Sequence, residues 1–206
     1  MTNPTTLYTE RLQRLEAARD QLDQRSRRIG NLNLLLFVVA FAVLALAAFR
    51  SEVLLVVLAL LISGVFVGGL VALNRTNHLL QTTLTRITLN QRGLARIRRE
   101  WRLLPVYDAT GDPAVADDGA SLQQIDAATA ADLDLIGHAS LEQLLSTPNT
   151  PVGKATLRRW ILNPAPPTII HERQQSCAEL APQVAFREDV ALSGLLLEAG
   201  NQEERY

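Results

Sequence analysis

No charged residue lies between Arg28 and Arg50, and none from Val53 to Asn74. The apolar stretches inside those limits, residues 29–49 and 53–73, are 21 residues each. As helices rising ~1.5 Å per residue they would be ~32 Å long, close to the ~30 Å of a bilayer's hydrocarbon core. The first holds 13 Ile, Leu, Val and Phe residues and the second 15. At roughly 0.3–0.6 kcal/mol each, these favour insertion by about 4–9 kcal/mol per span. Asn31 and Asn33 oppose insertion, but they stand in the first turn of the span, near the headgroups. Two adjacent uncharged runs of this length exclude an ordinary soluble globule. Arg50-Ser51-Glu52 is long enough only to turn the chain. The expected fold class is therefore all-α, built on a transmembrane helical hairpin of two spans.

Arginine placement sets the orientation. Arg25, Arg27 and Arg28 precede the first span, and Arg75, Arg86 and Arg92 follow the second. Positive flanks stay inside, so both termini are expected in the cytoplasm, with lipid as the first partner. A cleaved signal peptide is the rival for the first span, since Ala45-Leu46-Ala47 resembles a cleavage site. The 28 preceding residues contain acids and the apolar run is too long for that, so an anchor is preferred. Gly64 and Gly68 form a small-xxx-small pattern, a face for close packing against the first span or a second copy. Neither span contains an ionisable residue, which argues against channel or proton-relay chemistry.

The flanks carry helical patterns. In residues 1–28, Tyr8, Leu15 and Leu22 recur every seven positions; in 74–105, Leu80, Ile87, Leu94 and Trp101 do the same, with Leu84 and Ile97 widening the stripe. These extensions are expected either to pair as a cytoplasmic stalk, a short antiparallel coiled coil, or to lie on the membrane with their arginines at anionic lipid. Residues 106–130, rich in Asp, Ala and Gly, read as a linker marked by Asp108, Gly111, Asp112, Pro113 and Gly119. Short extended segments fit around 103–107.

Helical signals return in residues 131–206. Ser140 with Gln143 resembles a capping box. Thr150 and Pro151 suit the N-cap and first position of a helix ending at Leu162. Thr168 is placed to cap the next helix, and a last one is expected over residues 184–198.

The same region holds no complete catalytic motif. Gly153-Lys154-Ala155-Thr156 lacks the upstream glycine and the Ser/Thr after Lys of a phosphate-binding loop. His171-Glu172 begins a zinc-protease pattern, but Gln175 stands where the second His belongs. The single cysteine, Cys177, falls on the apolar side of its helix and reads as a buried, inert thiol. No catalytic, cofactor or metal site is expected. Residues 103–206 carry six basic against 15 acidic side chains, net −9, so no direct nucleic-acid binding is expected from this chain.

One resemblance stands out. Asp132-Leu133-Asp134-Leu135-Ile136-Gly137, Ser140-Leu141, Leu144-Leu145, Thr150-Pro151, Gly153, Leu157, Trp160, Pro164, Arg173-Gln174 and Glu179-Leu180 together resemble the opening of the MutS core domain. With two spans ahead of it, the chain is similar to membrane-attached bacterial MutS-related proteins of the mismatch-repair family. The resemblance implies a bacterial inner-membrane protein with a small helical module in the cytoplasm. Thr150, Pro151, Gly153 and Trp160 would be packing and turn residues of that module. The family's ATPase uses ATP and magnesium, but no position here matches its phosphate-binding loop. The DNA-reading Phe-x-Glu has no counterpart beyond a chance Phe186-Arg187-Glu188. The expectation is a non-enzymatic membrane anchor, a fragment-like N-terminal part of a MutS-like protein, with a separate MutS-like ATPase subunit or a second copy as partner. The alternative is a free-standing scaffold that binds a protein through its acidic helical region.

Overall fold

The computed structural model describes residues 3–50, 53–106 and 125–203, and every regular element among them is helical. The helices are α1 (Pro4–Arg50), α2 (Val53–Arg98), α3 (Ala127–Asp132), α4 (Leu141–Leu145), α5 (Pro151–Leu162), α6 (Pro167–Leu180) and α7 (Val184–Glu203). A single 3-10 turn, Trp101–Leu103, follows α2. The linker glycines and aspartates at positions 108–119 lie outside the described residues.

The chain divides into two compact units, residues 10–87 and residues 1–9 with 88–206. α1 and α2 are each unbroken across the expected boundaries at 28/29 and 73/74. Nothing there interrupts the backbone ladder: there is no proline, and a glycine such as Gly30 costs only about 1 kcal/mol. Both helices contain windows long and apolar enough to cross a membrane, with mean hydropathies of 2.4 and 2.8.

In the unit of residues 10–87, α1 and α2 run antiparallel. The Ser26 hydroxyl donates to Asn77 Oδ1 at 2.7 Å, and the rings of Phe37 and Phe66 meet at 5.8 Å. Asn33 fills the space where Gly69 lacks a side chain, so a Cβ on Gly69 would fall 1.9 Å from Asn33 Oδ1. Among the described residues from 29 to 76, what this pair buries is small or polar, namely Asn33, Ala47, Ala59 and Thr76. Its large apolar side chains point away, with Leu34 65% and Phe41 68% exposed and Leu54 77%. The Gly64 and Gly68 positions have nothing within 4 Å, so the close approach to the first span runs through Gly69 instead. Asn33 is buried because it packs into the space left by Gly69 of α2.

In the other unit, the short helices pack around buried Leu104, Ala130, Ala155 and Leu192. The Ser140 side chain accepts from the Gln143 amide, capping α4, and the Thr150 side chain accepts from the Gly153 amide, capping α5 behind Pro151. α5 ends at Leu162, as its pattern requires. α6 starts two residues early, at Pro167, with Pro166 rather than Thr168 at the N-cap. Thr168 therefore sits inside the helix, and the N-cap Pro166 makes no side-chain cap bond. Part of the expected linker is ordered as α3, whose N-cap Asp126 accepts from the Thr129 amide. Leu104 is extended, at φ −95° and ψ 137°, in the short stretch expected to be so. The seven-residue stripes are the more buried positions, Ile87 and Leu94 most of all, whereas Leu84 and Ile97 are exposed and do not widen them.

Candidate functional site

The features with chemical content all fall in the unit of residues 1–9 and 88–206. The first is a polar staple at Gln143, a side chain 1% exposed. Its amide nitrogen donates to the carbonyls of Trp101 and Leu104, each at 3.0 Å. Its Oε1 accepts from the Ala139 amide at 2.7 Å. A capping box would send that oxygen to the N-cap amide; here it reaches one residue further back. The difference matters because Ala139 has a left-handed φ of 56°, a conformation costly for a residue with a Cβ. The bond from Gln143 holds it there, while Gly137, at φ 99°, takes the neighbouring bend without a side chain to strain.

The second is a cleft of about 440 Å³ between the end of α2, the loop before α5, and α7. Tyr8 contributes as well, its ring lying over Gly93, where a Cβ would be 2.8 Å from the ring. The loop is tied to α7 by the Asn149 side-chain amide, which donates to the Ala191 carbonyl at 3.1 Å. α2 is tied to α7 by the Asn90 amide donating to Glu188 Oε1 at 3.2 Å, both residues buried. Arg96 reaches from α2 to the Ser146 carbonyl, while its Nε is buried with no hydrogen-bond partner. Burial lowers the Arg96 pKa from its ordinary value; the like charge of Arg92 adds to this, and Tyr8 opposes it. An arginine stays protonated through such a shift, so Arg96 is a partly buried cation, with no ion pair to a carboxylate among the described residues. Arg92 and Arg187 also line the cleft, and the remaining walls are largely apolar.

The residues singled out from sequence are not all in this place. Thr150 lines the cleft's edge, and Pro151 and Gly153 form the α5 cap beside it. Trp160, expected to pack inside, is 43% exposed and covered by the Arg173 guanidinium 4.0 Å from its ring. Cys177 is exposed rather than buried, because α6 buries none of its residues. Sequence reasoning missed Asn90, Arg92, Arg96 and Glu188. The signal was present: Arg92 and Arg96 are like charges four apart on a helix, unfavourable unless something satisfies them. Among the described residues no group of three His, Cys, Asp or Glu side chains converges to hold a metal ion. The chain matches no family model, no curated protein and no solved structure.

Proposed function

We propose that the chain is a membrane anchor: a two-span hairpin that fixes a small helical module at the cytoplasmic face of a bacterial inner membrane. One observation carries this. Of the large apolar side chains within residues 29–49 and 53–73, nine in the first and eleven in the second are exposed. Burying such a side chain fully is worth about 1.5–3 kcal/mol. Leaving twenty of them half in water forgoes on the order of 20 kcal/mol, more than the roughly 5–15 kcal/mol by which a domain is stable. Lipid removes that cost. The reverse arrangement of small residues inside and large ones outside is how helices pack when hydrocarbon is the solvent.

The module's MutS-like character rests on the residue pattern from Asp132 to Leu180 alone. On that basis the chain acts by position, holding its module where an ATPase subunit of MutS-like type or a second copy meets it, with the flanking helices as a stalk. A scaffold for a different protein partner is the second reading. It is favoured by the apolar side chains that α7 leaves exposed, Val190 at 56% and Leu197 at 64%.

Cys177 supplies the test, being the chain's one cysteine and exposed. In cells, a membrane-impermeant maleimide added outside should leave it unlabelled, and the same reagent added to inside-out vesicles should label it. Labelling from outside, or recovery of the chain in the aqueous fraction of a lysate, refutes the anchor. A MutS-like ATPase failing to co-purify, with sidedness as expected, removes only the MutS-like part.

A further inference from the structure

The cleft sets arginines from α2 and α7 near one another with little opposing charge. It is lined by Arg92, Arg96 and Arg187 against one carboxylate, Glu188. That carboxylate accepts from Asn90. Arg187 donates to the Ala181 carbonyl at 3.0 Å. Arg96 spends one terminal nitrogen on the Ser146 carbonyl and its Nε is sealed from solvent, so the other terminal nitrogen is the one it can offer a ligand. Arg92, one turn away on the same face of α2, has no carboxylate partner among the described residues.

A guanidinium offers five donors in a planar fork, and its strongest acceptors are carboxylate and phosphate oxygens, which it binds two at a time. The Arg92 fork, with the charge and remaining terminal nitrogen of Arg96 on the same wall, suits a single anionic group. Leu180, Val184, Phe186 and Val190 supply an apolar part of the lining, beside the polar Asn90, Thr147, Asn149 and Thr150. The volume, about 440 Å³, is in the ordinary range of small-molecule clefts, roughly 300–1,000 Å³.

We propose that this cleft binds a small amphiphilic anion. Its carboxylate or phosphate would be held by Arg92 and Arg96, and its short apolar body would lie against Leu180, Val184 and Val190. Glu188 on the lining disfavours a second negative group on the body. The site does not depend on the chain's family, and it does not need the anchor to be right. The anion has two sources with the same chemistry: an acidic lipid headgroup or a soluble carboxylate or phosphate.

The test uses the full chain in phosphatidylcholine nanodiscs, titrated calorimetrically with hexyl phosphate, hexanoate, hexanol and inorganic phosphate. Hexyl phosphate or hexanoate should bind saturably at one site, hexanol and inorganic phosphate about tenfold or more weakly. Arg92→Gln should weaken the anion by about tenfold or more, the usual cost of losing a charged hydrogen bond. Arg96→Gln should do the same. Arg92→Gln is the decisive variant, because it leaves the Arg96 contact with Ser146 intact. Adding phosphatidylglycerol to the discs distinguishes the sources: competition with hexyl phosphate assigns a lipid headgroup, and unchanged affinity assigns a soluble anion. The proposal is overturned by no saturable anion binding, by hexanol binding as tightly as hexanoate, or by Arg92→Gln leaving the affinity unchanged.

Discussion

Replacing Gln143 by Met keeps nearly the same volume and removes every polar atom of the staple. Three hydrogen bonds are lost: two to the carbonyls of Trp101 and Leu104, one from the Ala139 amide. At about 0.5–1.5 kcal/mol net each, the loss centres on about 3 kcal/mol, and buried Leu104 adds to it because its carbonyl then has no donor among the described residues. Such a loss raises local opening roughly 150-fold, tenfold for each ~1.4 kcal/mol. Hydrogen exchange on the full chain in micelles reads this at the amides of Leu141 and Glu142, which bond to the Asp134 and Leu135 carbonyls. Gln143→Glu is the sharper variant. Its carboxylate would face two carbonyl oxygens, so the folded state would favour the protonated form and raise the pKa above the usual ~4.3 of Glu. A raised pKa means the stabilising form is fully present below that usual value and is lost as pH rises through the folded one. Gln143→Glu should therefore be nearer wild type at acid pH than at neutral pH. A change under about 1 kcal/mol in Gln143→Met, or a pH-independent Gln143→Glu, would refute the staple.

Three further outcomes follow from particular contacts. Gly69→Ala should destabilise the α1–α2 pair by about 1–3 kcal/mol in thermal unfolding in micelles, as overpacking does. Gly64→Ala and Gly68→Ala should be near neutral, and Asn33→Ala should rescue Gly69→Ala; equal effects at all three glycines would contradict the packing. Thr150→Ala should cost about 1 kcal/mol of α5 stability with Thr150→Ser restoring most of it, measured by exchange at the Gly153 amide. Asp126 has its pKa lowered by bonds from the Thr129 amide and hydroxyl, so its contribution is present above the unfolded value and lost as pH falls through the folded one. Protection of the Ala130 amide should fall on acidification in wild type and not in Asp126→Asn.

Much of the helical layout was written in local signals. The uncharged runs placed α1 and α2, and Ser140 and Thr150-Pro151 placed the starts of α4 and α5, because a cap bonds within three residues of itself. The failures share a cause: partners distant in sequence. Gln143 looked like half of a capping box, yet two of its three bonds reach back 39 and 42 residues. Pro166 and Pro167 pre-empted Thr168, since a proline at the first helical position needs no donor satisfied there. Cys177 was assigned to an apolar side that nothing in the described residues covers. Gly64 and Gly68 matched a pattern, but which glycine meets the other helix depends on Asn33. The cleft draws on residues from Tyr8 to Gly194, a spacing no local motif encodes.

The seat that Gly69 offers Asn33 also governs how the two helices can move. A shift along the axis by one turn, ~5.4 Å, would bring Val65 or Leu73 opposite the amide in place of glycine. Either side chain would wedge the helices apart. Piston-like sliding is thus the costly displacement for this pair.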